Sequence, residues 1–150
     1  MAPPPVPKPG SLGLKALNVM TGVNVALYRL TGGRLGGRMA GAPVLLLEHV
    51  GRKSGRHRTT PLLYMTDGED LVIVGSRGGS HATPAWWLNL QASPATTVQV
   101  GRERRSVLAR QASHEERAQL WPGLVAMYSD YDVYQRRTQR EIPVIVLNPA

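Results

Sequence analysis

Cysteine and phenylalanine are both missing from this 150-residue chain. Without cysteine there can be no disulfide, zinc–thiolate site, iron–sulfur cluster or thiol nucleophile. Without phenylalanine, three tryptophans and five tyrosines must supply the aromatic packing as well as any aromatic binding surface. No apolar run approaches the ~18 residues that a membrane span requires. Acidic side chains are scarce, 10 against 18 basic ones, and none form an obvious catalytic pair. Asp130 and Asp132 lie two apart, and Glu115 and Glu116 read as charge at a helix N-terminus. His49, His57, His81 and His114 lack metal-ligand spacing, so no metal site is expected. No Gly-x-Gly-x-x-Gly follows a strand-like run, which argues against a Rossmann dinucleotide site. With no acid–base–nucleophile set of its own, the chain is expected to borrow its chemistry.

What is present is a basic, globular composition. Apolar residues at 42% and charged residues at 19% describe a chain that can close one core. Its length allows a single domain, placed at residues 11–150. The opening Met1-Ala-Pro-Pro-Pro-Val-Pro-Lys-Pro-Gly10 reads as a disordered lead-in over residues 1–10. It lacks the layout of a signal peptide, so a cytoplasmic location is expected. Fifteen of the cations behind the net charge of +8 are arginine, whose planar fork suits bidentate contact with phosphate or carboxylate. An anionic partner follows, although a GC-rich genome also enriches arginine.

Hydrophobic periodicity changes along the chain. Ala16, Met20, Val23, Leu27 and Leu30 recur at helical spacing within Leu12–Leu30. Such a helix either caps the core or, with Lys15 and Arg29, makes a peripheral membrane contact through residues 12–30. Strand-like runs follow at Pro43–Val50, Thr59–Met65 and Leu71–Val74, the last two joined by the turn signal Thr66-Asp67-Gly68. Thr83-Pro84 marks a helix start. Thr96–Val100 and Arg105–Arg110 form another hairpin around Gly101. Ser113-His-Glu-Glu116 has capping-box spacing and opens a helix that Pro122 should interrupt. A short helix over Asp130–Arg137 and a strand over Ile142–Leu147 complete the order α-β-β-β-α-β-β-α-α-β. Antiparallel hairpins with inserted helices indicate an α+β fold built on a barrel.

Four segments hold residues suited to binding. Gly51–Pro61 places Arg52, Lys53, Arg56 and Arg58 in a glycine-bounded turn, with Ser54 among them. It suits a phosphate or carboxylate, or is a solvated turn. Gly75-Ser76-Arg77-Gly78-Gly79 leaves a strand with many exposed amides, fit to embrace an anion or a ring edge, or is a plain surface turn. Trp86, Trp87 and Asn89 share a short helix, where one indole enters the core and the other borders a pocket, or both simply pack. Tyr128, Tyr131 and Tyr134 recur every three residues and would form one phenolic face on helical backbone, for packing or for lining a pocket.

In their order and spacing these segments resemble the deazaflavin (coenzyme F420)-dependent nitroreductase family, from the helix around Asn24–Arg29 to Pro149. The segments carrying the likeness are Gly51-Arg-Lys-Ser-Gly55 with Arg58 and Pro61-Leu62, Gly75-Ser-Arg-Gly-Gly79, and Pro84-x-Trp86-Trp87-Leu-Asn89-Leu. Trp121-Pro122, the three tyrosines and Ile142-Pro143 complete it. The resemblance implies a split antiparallel β-barrel of the FMN-binding type, with flanking helices. It implies that Arg52, Lys53, Ser54 and Arg58 hold the cofactor's phosphate and acidic tail. Thr59, Pro61, Leu62, Ser76, Arg77, Trp86 and Asn89 would cradle the deazaflavin ring, and Tyr128, Tyr131 and Tyr134 would face the substrate. Leu63 stands where some members carry an aromatic, and Tyr64 beside it points to the other strand face.

The implied activity is hydride transfer from reduced F420 to a small hydrophobic, electron-poor acceptor such as a quinone, enone or nitroaromatic. Tyr131 or Ser76 would donate the hydrogen bond or proton. The alternatives are an FMN-dependent reductase on the same fold and a non-catalytic F420 carrier. Nucleic acid is not an expected partner, because the basic residues are scattered and no aromatic stacking platform accompanies them.

Overall fold

The computed structural model of the protein describes residues 12–150, with side chains 13–20 excepted. The expected lead-in over residues 1–10 lies outside the described residues. Helix α1 (Leu12–Thr31) leads into strands β1 (Arg38–Met39), β2 (Ala42–Val50), β3 (His57–Leu63), β4 (Met65–Asp67) and β5 (Asp70–Val74). A 3-10 turn at Arg77–Gly79 and helix α2 (Ala85–Ala92) follow. Then come β6 (Ala95–Val100), β7 (Glu103–Gln111), α3 (His114–Met127), α4 (Asp130–Arg137) and β8 (Val144–Pro149).

All strand pairs are antiparallel. One path runs β1-β2-β6-β7-β8-β5-β4, and β3 pairs with β2 beside it. The segment 57–67 therefore serves both ends of the sheet: its first half pairs with β2 and its second with β5. The chain crosses between them at Tyr64, whose amide donates to the Pro43 carbonyl at 3.1 Å. This crossing curls the sheet into the split barrel expected from the sequence. It also divides the expected strand Thr59–Met65 in two, because one strand cannot pair with both edges.

The central strands are buried on both faces, so they read as continuous apolar runs. On one face Val44, Leu46, Val72, Val74, Val144 and Val146 pack with Val25 and Tyr28 of α1 and with Leu124 and Tyr131. On the other, Leu45, Leu47, Leu71, Ile73, Ile145 and Leu147 pack with Trp86, Trp87 and Leu90 of α2. The two-residue alternation thus sorts each strand between two cores.

Over its described side chains helix α1 departs from the expected stripe, whose Ala16 and Met20 lie outside them. Val25 and Tyr28 face the core, while Val23, Leu27 and Leu30 are exposed. Tyr28 decides the orientation: its hydroxyl donates to the Val44 carbonyl at 3.0 Å and accepts from the Gly101 amide at 2.7 Å. A buried phenol with both hydrogen-bonding capacities used outweighs a row of leucines that makes no such bond. Among the described residues no helix is long and apolar enough to cross a membrane.

Two further expectations are corrected. Pro122 lies inside α3 without ending it. The loss of one backbone bond is tolerated because Trp121 Nε1 donates to Asp132 at 3.0 Å and Leu124 is fully buried. Helix α2 begins one residue later than Thr83-Pro84 suggests, with Pro84 at the N-cap and no capping side chain. The capping box Ser113–Glu116 is present as expected, with both reciprocal bonds made.

Candidate active site: a cavity between a basic turn and three tyrosines

A cavity of about 460 Å³ opens along β3. Among the described residues β3 pairs only with β2, and Thr60, Pro61, Leu62 and Leu63 from this strand line the cavity. Val74, Ser76, Arg77 and Gly78 close a second side, Ala85 and Trp86 a third, and Tyr128, Tyr131 and Tyr134 a fourth.

The polar wall is a connected chain. His49 is buried near the end of β2, next to the half-buried Glu48. Its Nε2 lies 2.8 Å from Thr60 Oγ1, and its Nδ1 lies 2.9 Å from Asn89 Nδ2. Asn89 is itself buried, and its Oδ1 accepts from both the amide and the Nη1 of Arg52, each at 3.1 Å. Burial, and then the nearby charge of Arg58, push the His49 pKa down, so the ring stays neutral.

Arg52 opens the basic turn. Gly51 and Gly55 close it, their amides donating hydrogen bonds to the Arg56 and Gly51 carbonyls at 2.9 and 2.8 Å. Ser54 Oγ accepts from the Arg56 amide at 3.2 Å, so this serine shapes the turn. The side chains from Arg52 to Arg58 are exposed. They lie beside the cavity, with Arg58 in its wall.

The Gly75–Ser80 segment is strained. Arg77, Gly78 and Gly79 all have left-handed backbone, at φ +45, +62 and +81, unfavourable for arginine by about 1–2 kcal/mol. Arg140 holds it in place. Its Nη2 donates to the Gly75 and Ser76 carbonyls at 3.1 and 2.9 Å, and its Nε donates to Ser80 at 2.9 Å. Arg137 adds a bond to the Gly78 carbonyl at 3.1 Å. The segment lies against α4, because a Cβ on Gly79 would come within 2.8 Å of the Tyr134 carbonyl. Ser76 makes no capping bond with its hydroxyl and faces the cavity.

The tyrosines come from two elements, since Tyr128 caps the C-terminus of α3 while Tyr131 and Tyr134 ride on α4. Tyr131 meets Tyr128 edge-on at 5.0 Å and Tyr134 at 6.4 Å between ring centres. The Tyr128 and Tyr134 hydroxyls bond each other at 3.0 Å. Tyr131 is 4% exposed, and its hydroxyl has no hydrogen-bond partner among the described residues. Burial first, then Tyr134, push its pKa well above the usual tyrosine range. Tyr128 shifts the same way, through burial and its bond to Tyr134. Both therefore stay protonated at neutral pH.

Ten of the residues singled out in the sequence line this cavity: Arg58, Pro61, Leu62, Leu63, Ser76, Arg77, Trp86, Tyr128, Tyr131 and Tyr134. Arg52, Lys53 and Ser54 stand outside it on the turn. Asn89 lies behind His49, and Thr59 lines a neighbouring hollow beneath α1. Both indoles are buried, and Trp86 alone of the pair reaches the cavity. Leu63 packs in the α1-side core and Tyr64 in the other, on opposite faces as anticipated. His49, Thr60 and Arg140 were not anticipated. A histidine at the end of a largely apolar strand was the available signal for the first, whereas Arg140 carries none, its contacts lying about 60 residues away.

Comparison with known proteins places this architecture among reductases. A family model described as F420H(2)-dependent quinone reductase matches residues 20–149. The Mycobacterium tuberculosis protein Rv3178 is 49% identical over 107 residues, covering 71% of this chain and 90% of its own. The F420H(2)-dependent quinone reductase Rv1261c of the same species is 43% identical over 126 residues, 81% of this chain and 85% of the relative. A solved structure of an F420-H2 dependent reductase, FDR-A, superposes with a TM-score of 0.65 at 34% identity, over 71% of this chain and 94% of that one.

Proposed function

The chain belongs to the F420H(2)-dependent quinone reductase family, and on that premise we propose that its cavity holds the deazaflavin ring against the acceptor while the Gly51–Arg58 turn takes the cofactor's anionic tail. The activity is F420-dependent reduction. The observation that carries the site assignment is the lining of one cavity: exposed Arg58 and Arg77, the unengaged phenol of Tyr131, and the apolar Pro61, Leu62, Val74 and Trp86.

The residues present fit such a group. A volume of about 460 Å³ lies within the ~300–1,000 Å³ typical of sites for small planar ligands. Pro61, Leu62, Val74 and Trp86 offer the apolar surface a flat ring requires, and Thr60, Ser76 and the amides starting α2 offer hydrogen bonds at its rim. Arg52, Lys53 and Arg58 supply charge for phosphate and carboxylate groups.

When bound, the reduced deazaflavin supplies a hydride. The chain supplies the setting: it holds two planar partners face to face, excludes water and stabilises charge on the acceptor oxygen. Tyr131 donates its hydroxyl proton toward that oxygen, with Ser76 as the second donor. Tyr128 and Tyr134, tied to each other, shape the acceptor side, and Leu63 leaves room where a ring would narrow it. The Arg140 clamp keeps the strained Arg77–Gly79 backbone from relaxing away from the cavity.

The test is anaerobic mixing of the full chain with reduced deazaflavin and a panel of quinones, enones and nitroaromatics. Cofactor oxidation that depends on both protein and acceptor is expected. Persistence of reduced cofactor across the whole panel would defeat the reading.

A further inference from the structure

The polarity of the cavity's hydrogen-bonding wall can be worked out from one end to the other. Asn89 Oδ1 faces two donors, the Arg52 amide and guanidinium, so the opposite amide orientation would set NH₂ against N–H twice. The Asn89 NH₂ group must then point at His49 Nδ1, which can only accept. A neutral imidazole carries one proton, and it is therefore on Nε2, which donates to Thr60 Oγ1. Burial and the charge of Arg58 keep that ring neutral. The Thr60 oxygen is thus occupied as an acceptor on its His49 side, and the Thr60 hydroxyl makes no other hydrogen bond among the described residues. Its own proton is left for the cavity it lines.

We propose that Arg52, Asn89 and His49 form a hydrogen-bond chain that fixes Thr60 as a donor into the cavity, directed at a carbonyl oxygen or unprotonated nitrogen of the bound planar cofactor. His49 and Asn89 are positioning residues, and Thr60 is the binding group. The chain starts on the cationic turn and ends in the ring cavity, so one set of bonds joins the two halves of the site. This rests on the cofactor assignment above and adds to it the direction of every bond in the wall. A threonine free to rotate would serve a donor or an acceptor equally. In Thr60 the bond from His49 takes one of the two lone pairs and turns the hydroxyl proton away from the imidazole, so that proton is what the cavity side gains.

Two measurements test it. The ¹⁵N resonances of the His49 ring in the ligand-free full chain should show Nε2 protonated and Nδ1 bare, and Asn89→Leu should produce a tautomer mixture. A ring protonated on Nδ1 in the unsubstituted chain overturns the proposal. In titrations with oxidised deazaflavin, Thr60→Val should weaken binding roughly five- to tenfold, with Thr60→Ser within about twofold of the unsubstituted chain. Equal affinity for Thr60→Val and the unsubstituted chain also overturns it. Should the unsubstituted chain fail to bind deazaflavin at all, the cofactor assignment falls, while the ring resonances still decide the hydrogen-bond chain.

Discussion

The two long walls of the cavity are built on opposite plans. The aromatic wall comes from a stretch of seven residues, Tyr128 to Tyr134, whose rings pack on each other and leave one hydroxyl, that of Tyr131, unengaged. The polar wall draws His49, Thr60 and Asn89 from three elements, and its internal polar contacts are already assigned. One wall thus offers a donor free to follow charge as it develops, and the other a donor whose direction is preset. In the proposed site the preset group would orient the ring before reaction, and the free one would answer the change on the acceptor.

Substitutions on the two walls should therefore fail differently. The largest effect is expected from Tyr131→Phe, which removes the free donor and keeps the packing. Turnover should drop about 100-fold with deazaflavin affinity nearly unchanged, a split that stopped-flow rates and equilibrium titration read separately. Equal turnover would take Tyr131 out of the role.

Lys53→Ala comes next. This residue is exposed on the basic turn, so its loss should weaken cofactor binding about tenfold at low salt and less as salt rises. Affinity indifferent to charge at Arg52, Lys53 and Arg58 together would leave the turn without its assigned task.

Gly79→Ala probes the join between the strained segment and the aromatic wall. The added methyl meets the Tyr134 carbonyl and Arg137 Cβ at 2.8 and 2.9 Å, on backbone at φ +81. A loss of at least about 1–2 kcal/mol is expected from the left-handed backbone alone, read by urea unfolding. Unchanged stability would show that the segment does not press on α4.

The smallest effect lies away from both walls. Glu116, bonded to Arg110 at 2.8 and 2.9 Å and to the Ser113 amide, has its pKa lowered from 4.5 to about 2, chiefly by the Arg110 contact. Its folded pKa is below the unfolded one, so its stabilising contribution is complete above about pH 4.5 and fades as pH falls toward 2. Glu116→Gln should flatten stability over that interval. The pair is exposed, so the change is small.

The same contrast explains what was legible in the sequence. The three-residue spacing of the tyrosines marks them as neighbours, although Tyr128 ends α3 and only Tyr131 and Tyr134 share α4. The capping box at Ser113 declares its helix, and both signals are local. The basic turn was equally visible in its composition. The polar wall was not, since His49 meets Asn89 across 40 positions and no spacing encodes that. The strand break at Tyr64 was hidden for a related reason: it depends on which strands 57–67 pair with, a tertiary fact. On α1, hydrophobicity pointed to Leu27 and Leu30, while the buried bonds of Tyr28 turned the helix the other way.

The central claim, that a cationic turn and an apolar cavity together grip an anionic deazaflavin, is met most directly by titrating the full chain with the oxidised cofactor at low and raised salt, with FMN alongside. Saturable binding that weakens as salt rises, and that favours deazaflavin over FMN, is the predicted result. No affinity for deazaflavin, or an affinity untouched by salt, would contradict it.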